Sequence, residues 1–267
     1  IHDDPYETYR RLRDEAPAYW NPDLSFWVLS RFEDVQNAFK DFDAFSSTGW
    51  VELESRRRRD AGRMEFQQMI EMDPPDHTSF RKLVNRIFTG RRVAAMEDDI
   101  RNIFNGYLDQ IVERGEADLV EEVTSPFPMD VISAFLDIPE GDRAQLRSYS
   151  DTILIREDGK MELPQVAAEG MFAMLQYFID DLPKRRKNPR NGIIDDLITL
   201  EVDGRSLTEE ELLGFCILFV IAGHETTTKM VANAIDLLSR HPDQKRDLAH
   251  NLDLAPQAVE EVVRFHN

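Results

Sequence analysis

The sequence is poor in cysteine and in positive charge, and it contains no long apolar run. A single cysteine, Cys216, excludes an internal disulfide framework and favours a reducing compartment such as the cytoplasm. The 51 acidic residues outnumber the 32 basic ones and leave a net charge of -19. General affinity for nucleic acid or for an anionic membrane is therefore disfavoured, because both would repel the protein.

The longest uncharged apolar segment, the twelve residues 212–223, is too short for a membrane anchor. A helix that spans a bilayer needs about 20 such residues. The first residues also lack the apolar core of a signal peptide. We therefore interpret 212–223 as part of a buried helix and expect no membrane anchor.

Basic residues are concentrated in two clusters. The first comprises Arg56–Arg59 and Arg63, and the second comprises Lys184, Arg185, Arg186, Lys187 and Arg190. Such clusters are usually solvated loops, although they could also dock an acidic protein partner. Both are candidate docking sites.

Helical periodicity dominates the chain. Only residues 26–30 predict a strand, and they lie between helical segments at 4–15 and 33–40. Beyond residue 78 the breaks fall at turn sequences such as Asn188-Pro189 and His241-Pro242. The pattern predicts one mainly α-helical domain with a little β-structure at its start. The later predicted helices are 81–88, 93–113, 128–137, 166–182, 193–200, 208–240 and 256–265.

The predicted helix 208–240 combines an apolar start with an acid and three threonines. Thr208 and Glu211 have the spacing of a capping box. A helix that is apolar all round is buried, so we expect Glu225 to enter the interior. An unpaired carboxylate there is costly unless it is protonated, hydrogen-bonded or next to a wet cavity.

The residues around Glu225 predict a local irregularity. Gly223 weakens a helix, and the hydroxyl of Thr226 can compete for the carbonyl of Ala222, so we expect a bulge. The alternative is an ordinary mid-helix glycine with exposed threonines. A zinc peptidase motif HExxH is excluded, because Thr228 stands where the second histidine is required.

Several motifs, in order, resemble those of one family. AGHETT at 222–227 is similar to the oxygen-activation motif A-G-x-[ED]-T of the cytochrome P-450 family of haem-thiolate monooxygenases. DPPDHTSFRKLVNRIFT at 73–89 resembles the segment of bacterial members that packs a helix along the haem edge. EEVVR at 260–264 contains a Glu-x-x-Arg pair like the structural pair of the family. KRRKNPRNGIIDDLI at 184–198 resembles the stretch before the central helix.

The resemblance implies haem b as the cofactor. His77 and Arg81 are four residues apart, so one helix face presents a donor and a fixed cation suited to a carboxylate. In the family these positions hold a haem propionate, and Phe88 would pack on the porphyrin. Without the resemblance, the pair would be surface decoration and Phe88 a core residue. The further residues assigned to the cofactor are Ala222, Gly223 and Thr226.

The resemblance also implies a reaction, the insertion of one atom of O2 into a hydrophobic organic substrate. It assigns dioxygen activation to Thr226 and proton relay from solvent to Glu225. Electrons would come from NAD(P)H through a ferredoxin or a flavoprotein reductase, since the chain has no flavin-binding segment. The expected substrate pocket comprises residues 49–70, residues 152–166 and the helix face with Leu218, Ala222 and Thr226.

The C-terminal part of the sequence contains a predicted salt bridge but no candidate for the metal ligand. The resemblance implies that Glu261 and Arg264 form a buried structural salt bridge. The thiolate ligand of the family lies downstream of that pair, whereas Cys216 has no basic neighbour and is interpreted as a core residue. We therefore expect 1–267 to be a single incomplete domain without its metal ligand. The alternatives are a helical binding protein that has lost the chemistry, or a non-functional fragment.

Overall fold

The computed structural model describes residues 5–48, 68–157, 160, 163–190, 192–201 and 204–265. Its first part contains a small antiparallel hairpin in which Ala18 pairs with Leu29 and Asn21 with Phe26. The side-chain oxygen of Asn21 accepts the amides of Asp23 and Leu24, both at 3.0 Å, which closes the turn. The elements here are α1 (Tyr6–Glu15), β1 (Ala18–Asn21), β2 (Phe26–Leu29) and α2 (Phe32–Lys40).

The rest of the described chain is helical, which confirms the predicted mainly α class. Short helical turns lie at Met69–Glu71, Val120–Thr124 and Leu252–Leu254. The remaining helices are α3 (Asp76–Ile87), α4 (Gly90–Ala94), α5 (Glu97–Val112), α6 (Pro126–Phe135), α7 (Glu140–Ile153), α8 (Gln165–Lys187), α9 (Ile193–Thr199), α10 (Glu209–Arg240), α11 (Pro242–His250) and α12 (Ala255–Phe265).

Helix α10 is the central element. Its 32 residues make it about 48 Å long. The predicted capping box is confirmed: the amide of Glu211 donates to the Thr208 hydroxyl at 3.2 Å, and the amide of Thr208 donates to the Glu211 carboxylate at 2.9 Å. Helices α6, α7, α8, α9 and α12 all pack against it. Its buried residues Leu212, Phe215, Ile217 and Val220 belong to the main hydrophobic core.

No membrane anchor was expected, because the apolar run of twelve residues is too short to span a bilayer. The helix that contains this run is longer than the run itself. Within the described ranges, α10 is the one helix long and apolar enough to cross a membrane. The core helix of a globular protein meets the same criterion, and several helices pack against α10. Packing inside the fold is therefore the better account of its composition.

Helix α7 was not predicted. Its buried residues are Leu146, Ser150 and Ile153, spaced by four and three. This spacing forms a helical stripe, but its middle position is a serine, so the apolar periodicity is too weak to detect. Ser150 proves to be a partner of α10.

Candidate active site

Thr226 lies within an unbroken stretch of α10. Its hydroxyl donates to the carbonyl oxygen of Ala222 at 2.6 Å, which confirms the predicted hydrogen bond. The predicted bulge is wrong, because the backbone is regular α-helix from Glu209 to Arg240. A carbonyl oxygen has two lone pairs, so Ala222 can accept the hydroxyl without releasing its bond to the helix.

The face of α10 that carries Thr226 is open. Leu218 is half-buried, whereas Ala222 and Thr226 are exposed. The side chain of Glu225 is 32% exposed and forms an ion pair with Lys229. The expected burial of Glu225 is therefore wrong, and its carboxylate has both a cationic partner and access to solvent.

Gly223 has a packing role that the sequence did not show. A Cβ atom at this position would lie 2.4 Å from Cδ1 and 2.8 Å from Cγ1 of Ile132 on α6. A side chain at this position would require Ile132 to shift, so glycine allows the observed approach of the two helices without rearrangement. The assignment of Gly223 to the cofactor remains a prediction.

His224 is the buried polar residue of this segment, with 2% of its surface exposed. Its Nδ1 lies 3.1 Å from the Ser150 hydroxyl oxygen on α7, and its Nε2 lies 3.1 Å from the carbonyl oxygen of Ser125, which precedes α6. Burial lowers the pKa of His224, and the nearby Asp151 carboxylate opposes that shift. The only sequence signal for this role was a histidine at the end of an apolar run.

Two residues of the predicted cofactor site, His77 and Arg81, lie on α3. Phe80, Leu83, Val84 and Ile87 bury one side of this helix. His77 is half-buried and Arg81 is exposed. Neither an ion pair nor a hydrogen bond engages the Arg81 guanidinium within the described part of the chain. It is thus available for an anionic group.

Phe88 connects α3 to α10. It follows the last residue of α3, and its ring centroid lies 5.0 Å from that of Phe219 and 6.2 Å from that of Phe215. On α10, positions 215, 219, 222 and 226 are spaced by four, three and four, so they share one helix face. Phe88 therefore packs on the face that exposes Ala222 and Thr226. Contact of Phe88 with porphyrin remains a prediction, because the ring is half-buried in an aromatic cluster with Phe135.

The second basic cluster is not a solvated loop. Arg185 is fully buried and binds the Asp181 carboxylate at 2.5 Å and the Asp137 carbonyl oxygen at 2.9 Å. Arg190 reaches the other oxygen of Asp181 at 2.7 Å. Arg186 is paired with Glu209. Arg185 and Arg190 therefore help to hold the fold together, and the docking hypothesis is wrong for the buried Arg185. For the half-exposed Arg186 the docking role stays a prediction. The first cluster lies outside the described residues.

The C-terminal pair forms but is not buried. Arg264 binds both oxygens of Glu261, at 2.6 and 2.7 Å, and this hydrogen bonding lowers the pKa of Glu261. Among the residues present the two side chains are 67% and 58% exposed. Burial of the pair in the full-length protein stays a prediction. An i, i+3 pair on a helix of this exposure contributes little stability by itself.

Cys216 is a core residue, as predicted. It is fully buried, and burial raises the pKa of its thiol far above the ordinary value. Its burial places it on the core side of α10, ten residues before Thr226. A thiol in this environment is a poor source of thiolate.

Part of the expected substrate pocket cannot be placed. Residues 49–67, together with 158–159 and 161–162, lie outside the described residues. The pocket positions that the structure describes are residues 68–70, 152–157, 160 and 163–166, together with Leu218, Ala222 and Thr226 on α10. Of these, Ile153 is buried in the main core, whereas Ala222 and Thr226 are exposed.

Comparisons with known proteins agree with this arrangement. The sequence profile of the family Cytochrome P450 matches residues 160–263. Putative cytochrome P450 123 of Mycobacterium tuberculosis is 38% identical over 266 residues, which cover 99% of this chain and 66% of that protein. Vitamin D(3) 25-hydroxylase of Pseudonocardia autotrophica is 36% identical over 265 residues, or 98% of this chain and 64% of that protein.

A solved structure gives the same result. Substrate-free CYP109E1 from Bacillus megaterium superposes with a TM-score of 0.87 and is 30% identical, covering 99% of this chain and 69% of that one. The chain belongs to the cytochrome P450 family. It spans 66% of the length of the first curated relatives it matches.

The family implies a haem cofactor, and the described residues fit it. Arg81 is an available cation, His77 adds a donor on the same face, and Phe88 joins α3 to the open face of α10. A propionate needs such cationic partners, and a flat macrocycle can approach α10 closely only beside small residues such as Ala222 and Thr226. The location of His77 and Arg81 on the same surface as Ala222 and Thr226 remains a prediction.

Proposed function

We propose that the full-length protein is a cytoplasmic haem-thiolate monooxygenase that hydroxylates a hydrophobic organic substrate. The observation that carries this proposal is the contact of Phe88 with Phe215 and Phe219. From this contact we infer that the donors of α3 and the Glu225-Thr226 pair of α10 face one cofactor site. The acidic composition and the single cysteine support a cytoplasmic location.

The cofactor would be haem b, which supplies the iron centre at which dioxygen is activated. His77 and Arg81 would hold a propionate through charge-assisted hydrogen bonds. The thiolate would come from a cysteine outside these 267 residues, because Cys216 is buried in the core side of α10 with a raised thiol pKa. Electrons would come from NAD(P)H through a ferredoxin or a flavoprotein reductase.

The reaction consumes O2, two electrons and two protons. One oxygen atom enters a C–H bond of the substrate as a hydroxyl, and the other leaves as water. If the protons fail to arrive in the required order, the same electrons and protons convert O2 to hydrogen peroxide. The task of the protein is therefore to deliver protons to one place, which is general acid catalysis.

Glu225 and Thr226 are suited to that task. Glu225 is one-third exposed and paired with Lys229, so its carboxylate can exchange protons with solvent. Thr226 carries a hydroxyl whose oxygen is fixed by its bond to Ala222 at 2.6 Å. While its single proton is donated to Ala222, the Thr226 oxygen can accept a hydrogen bond, and it can donate one only after releasing Ala222. The Glu225 carboxylate, on a longer side chain, can move between solvent and the site.

The hydrophobic substrate class is supported by the open face with Leu218 and Ala222 and by similar proteins. CYP109E1 of Bacillus megaterium has been solved with testosterone, and that structure superposes with a TM-score of 0.84 at 29% identity. We therefore choose testosterone as the first probe. The precise substrate of this protein would follow from a wider panel.

The test compares Thr226→Ala with the parent, both as full-length haem proteins with testosterone and a surrogate ferredoxin system. We expect Thr226→Ala to retain haem and O2 consumption but to lower the product formed per O2 about tenfold, a modest share of what general acid catalysis can contribute. Hydrogen peroxide should account for the difference. Glu225→Gln should slow turnover with a smaller loss of product per O2, because it interrupts proton supply.

An unchanged product yield in Thr226→Ala would contradict the proton-delivery role. Failure of the parent to bind haem would contradict the proposed function as a whole. Thr227→Ala is a matched control, since it removes a neighbouring hydroxyl on a different side of the helix.

A further inference from the structure

His224 is a buried histidine whose two ring nitrogens bind two other parts of the fold. The carbonyl oxygen of Ser125 can only accept, so Nε2 of His224 must carry a proton and donate to it. Nδ1 then has a lone pair that accepts from the Ser150 hydroxyl. The neutral imidazole is thus satisfied at both nitrogens, and burial, which lowers its pKa, keeps it in that form.

Both partners lie far from His224 in sequence. Ser150 precedes His224 by 74 residues and Ser125 precedes it by 99. One belongs to α7 and the other to the junction that starts α6. One side chain of α10 is therefore attached to two separate elements, which resists both rotation of the helix about its axis and sliding along it.

Gly223 limits the same motions by packing. Its Cα lies so close to Ile132 that an added Cβ would be 2.4 Å from the Ile132 Cδ1 atom. Rotation of α10 would bring a neighbouring side chain against α6, and close-packed interiors do not accommodate such a change. The hydrogen bonds of His224 and the packing of Gly223 thus fix one orientation of this turn.

His224 and Thr226 lie on nearly opposite faces of the helix. They are two residues apart, which is about 200° around the axis of an α-helix. His224 is buried and Thr226 is exposed. An attachment at the back of the turn therefore determines where the Thr226 hydroxyl points at the front.

We propose that His224 is a positioning residue for Thr226 and Glu225: its bonds to Ser150 and to the Ser125 carbonyl hold the catalytic turn of α10 in the orientation that proton delivery requires. The proposal rests on the proposed monooxygenase function and deepens it. His224 itself does not touch the reacting atoms, because its ring faces α6 and α7.

The test uses the full-length haem protein and three variants. Ser150→Ala removes the bond to Nδ1 and leaves the imidazole in place, which avoids the large cavity of a histidine deletion. His224→Gln keeps an amide that can replace part of the hydrogen bonding. Ser133→Ala is the matched control, since Ser133 is a buried α6 serine whose hydroxyl has no partner in the described residues.

The first measurement is amide hydrogen exchange of residues 222–228, which requires no substrate. We expect exchange in this segment to be about fivefold faster in Ser150→Ala, the factor that corresponds to one neutral hydrogen bond, and unchanged in Ser133→Ala. The exchange rate of His224→Gln should lie between the rates of the parent and of Ser150→Ala. Equal exchange in Ser150→Ala and Ser133→Ala would overturn the proposal.

The second measurement is the ratio of hydroxylated testosterone to hydrogen peroxide. We expect Ser150→Ala to lower this ratio about fivefold, again the factor that corresponds to the loss of one neutral hydrogen bond. In a Thr226→Ala background the substitution should have no further effect, because both changes act on the same hydroxyl. Additive effects would overturn the proposal and indicate a general loss of stability.

The two measurements separate the two proposals. A parent that binds haem and makes no product from testosterone would count against the proposed function with this probe. The exchange measurement would still decide whether His224 holds the turn, since it follows the backbone and does not depend on turnover.

Discussion

At the residue scale, polar side chains in α10 divide according to the face on which they lie. His224 is buried and satisfied by two partners, whereas Thr226 two positions later is exposed and bonded only to its own helix among the described residues. Sequence reasoning identified Thr226 correctly as a hydroxyl bonded to Ala222. It placed Glu225 in the interior because it took the whole helix to be apolar on every side.

The buried state of His224 predicts a pH dependence of stability. In the unfolded chain its imidazole takes up a proton below about pH 6.5, whereas burial lowers the folded-state pKa. The unfolded state then binds more protons, so the free energy of unfolding falls as the pH drops from about 6.5 towards the folded pKa. The facing charged groups are Asp151 and Arg147 on α7 and Glu225 on α10, and burial outweighs the favourable effect of Asp151.

This prediction is checked by urea unfolding of the full-length parent and of His224→Gln across that pH range. The parent should lose more stability than the variant on acidification, because glutamine does not titrate. Equal losses in the two proteins would show that protonation of His224 contributes nothing to the acid sensitivity of the fold.

At the element scale, the clearest predictions came from strongly periodic segments. The start of α10 was correctly predicted from Thr208 and Glu211, whose capping box forms. Helix α11 was missed because Leu248 is the one large apolar residue among its nine, so no apolar stripe marks it. Strand β1 was missed because its pairing with β2 depends on the hairpin rather than on its own short pattern.

The end of α8 shows a conflict between local and tertiary forces. The sequence pattern predicted an end at 182, yet the helix continues to Lys187 past Pro183, which lacks a backbone donor. Arg185 explains the difference. Its guanidinium is buried against Asp181 and the Asp137 carbonyl oxygen, so the last turn is held by contacts that no local pattern reveals.

Removal of this buried cation should be costly. We expect Arg185→Met to lower the free energy of unfolding by about 3 kcal/mol, since the carboxylates of Asp181 and Asp195 would remain buried with fewer partners. Arg186→Met is the control: this cation is 42% exposed and paired with Glu209, and its loss should cost no more than about 0.5 kcal/mol. Urea unfolding of the parent and of both variants measures the two losses of unfolding free energy. Equal losses would contradict a structural role of the buried network.

Helix α3 carries the prediction on cofactor retention. We expect the double variant His77→Ala and Arg81→Ala to lose haem faster, because a bound propionate would lose its hydrogen-bond donor and its cation. The control is the double variant Arg246→Ala and His250→Ala on α11, which removes the same two residue types at the same spacing. Haem transfer to apomyoglobin measures the dissociation rate. If both double variants lose haem at the rate of the parent, the assignment of α3 is wrong.

At the scale of the whole molecule, two segments that are distant in sequence are connected by an aromatic cluster. The α3 motif and the α10 motif are separated by more than a hundred residues of sequence, and Phe88 joins them through the aromatic cluster with Phe215 and Phe219. The resemblance of separate motifs predicted both segments, but no single motif could show that they meet. The exposure of Glu261 and Arg264 likewise could not be read from their spacing.

The central claim, that the full-length protein is a haem-thiolate enzyme, is tested most directly by the carbon monoxide spectrum of the reduced protein. Intact mass measured on the same sample establishes which residues it contains. The account predicts bound haem b with a thiolate-type spectrum. Because the thiolate would come from a cysteine other than Cys216, the same spectrum should be seen in Cys216→Ala. A full-length protein that binds no haem, or whose thiolate spectrum disappears in Cys216→Ala, would contradict it.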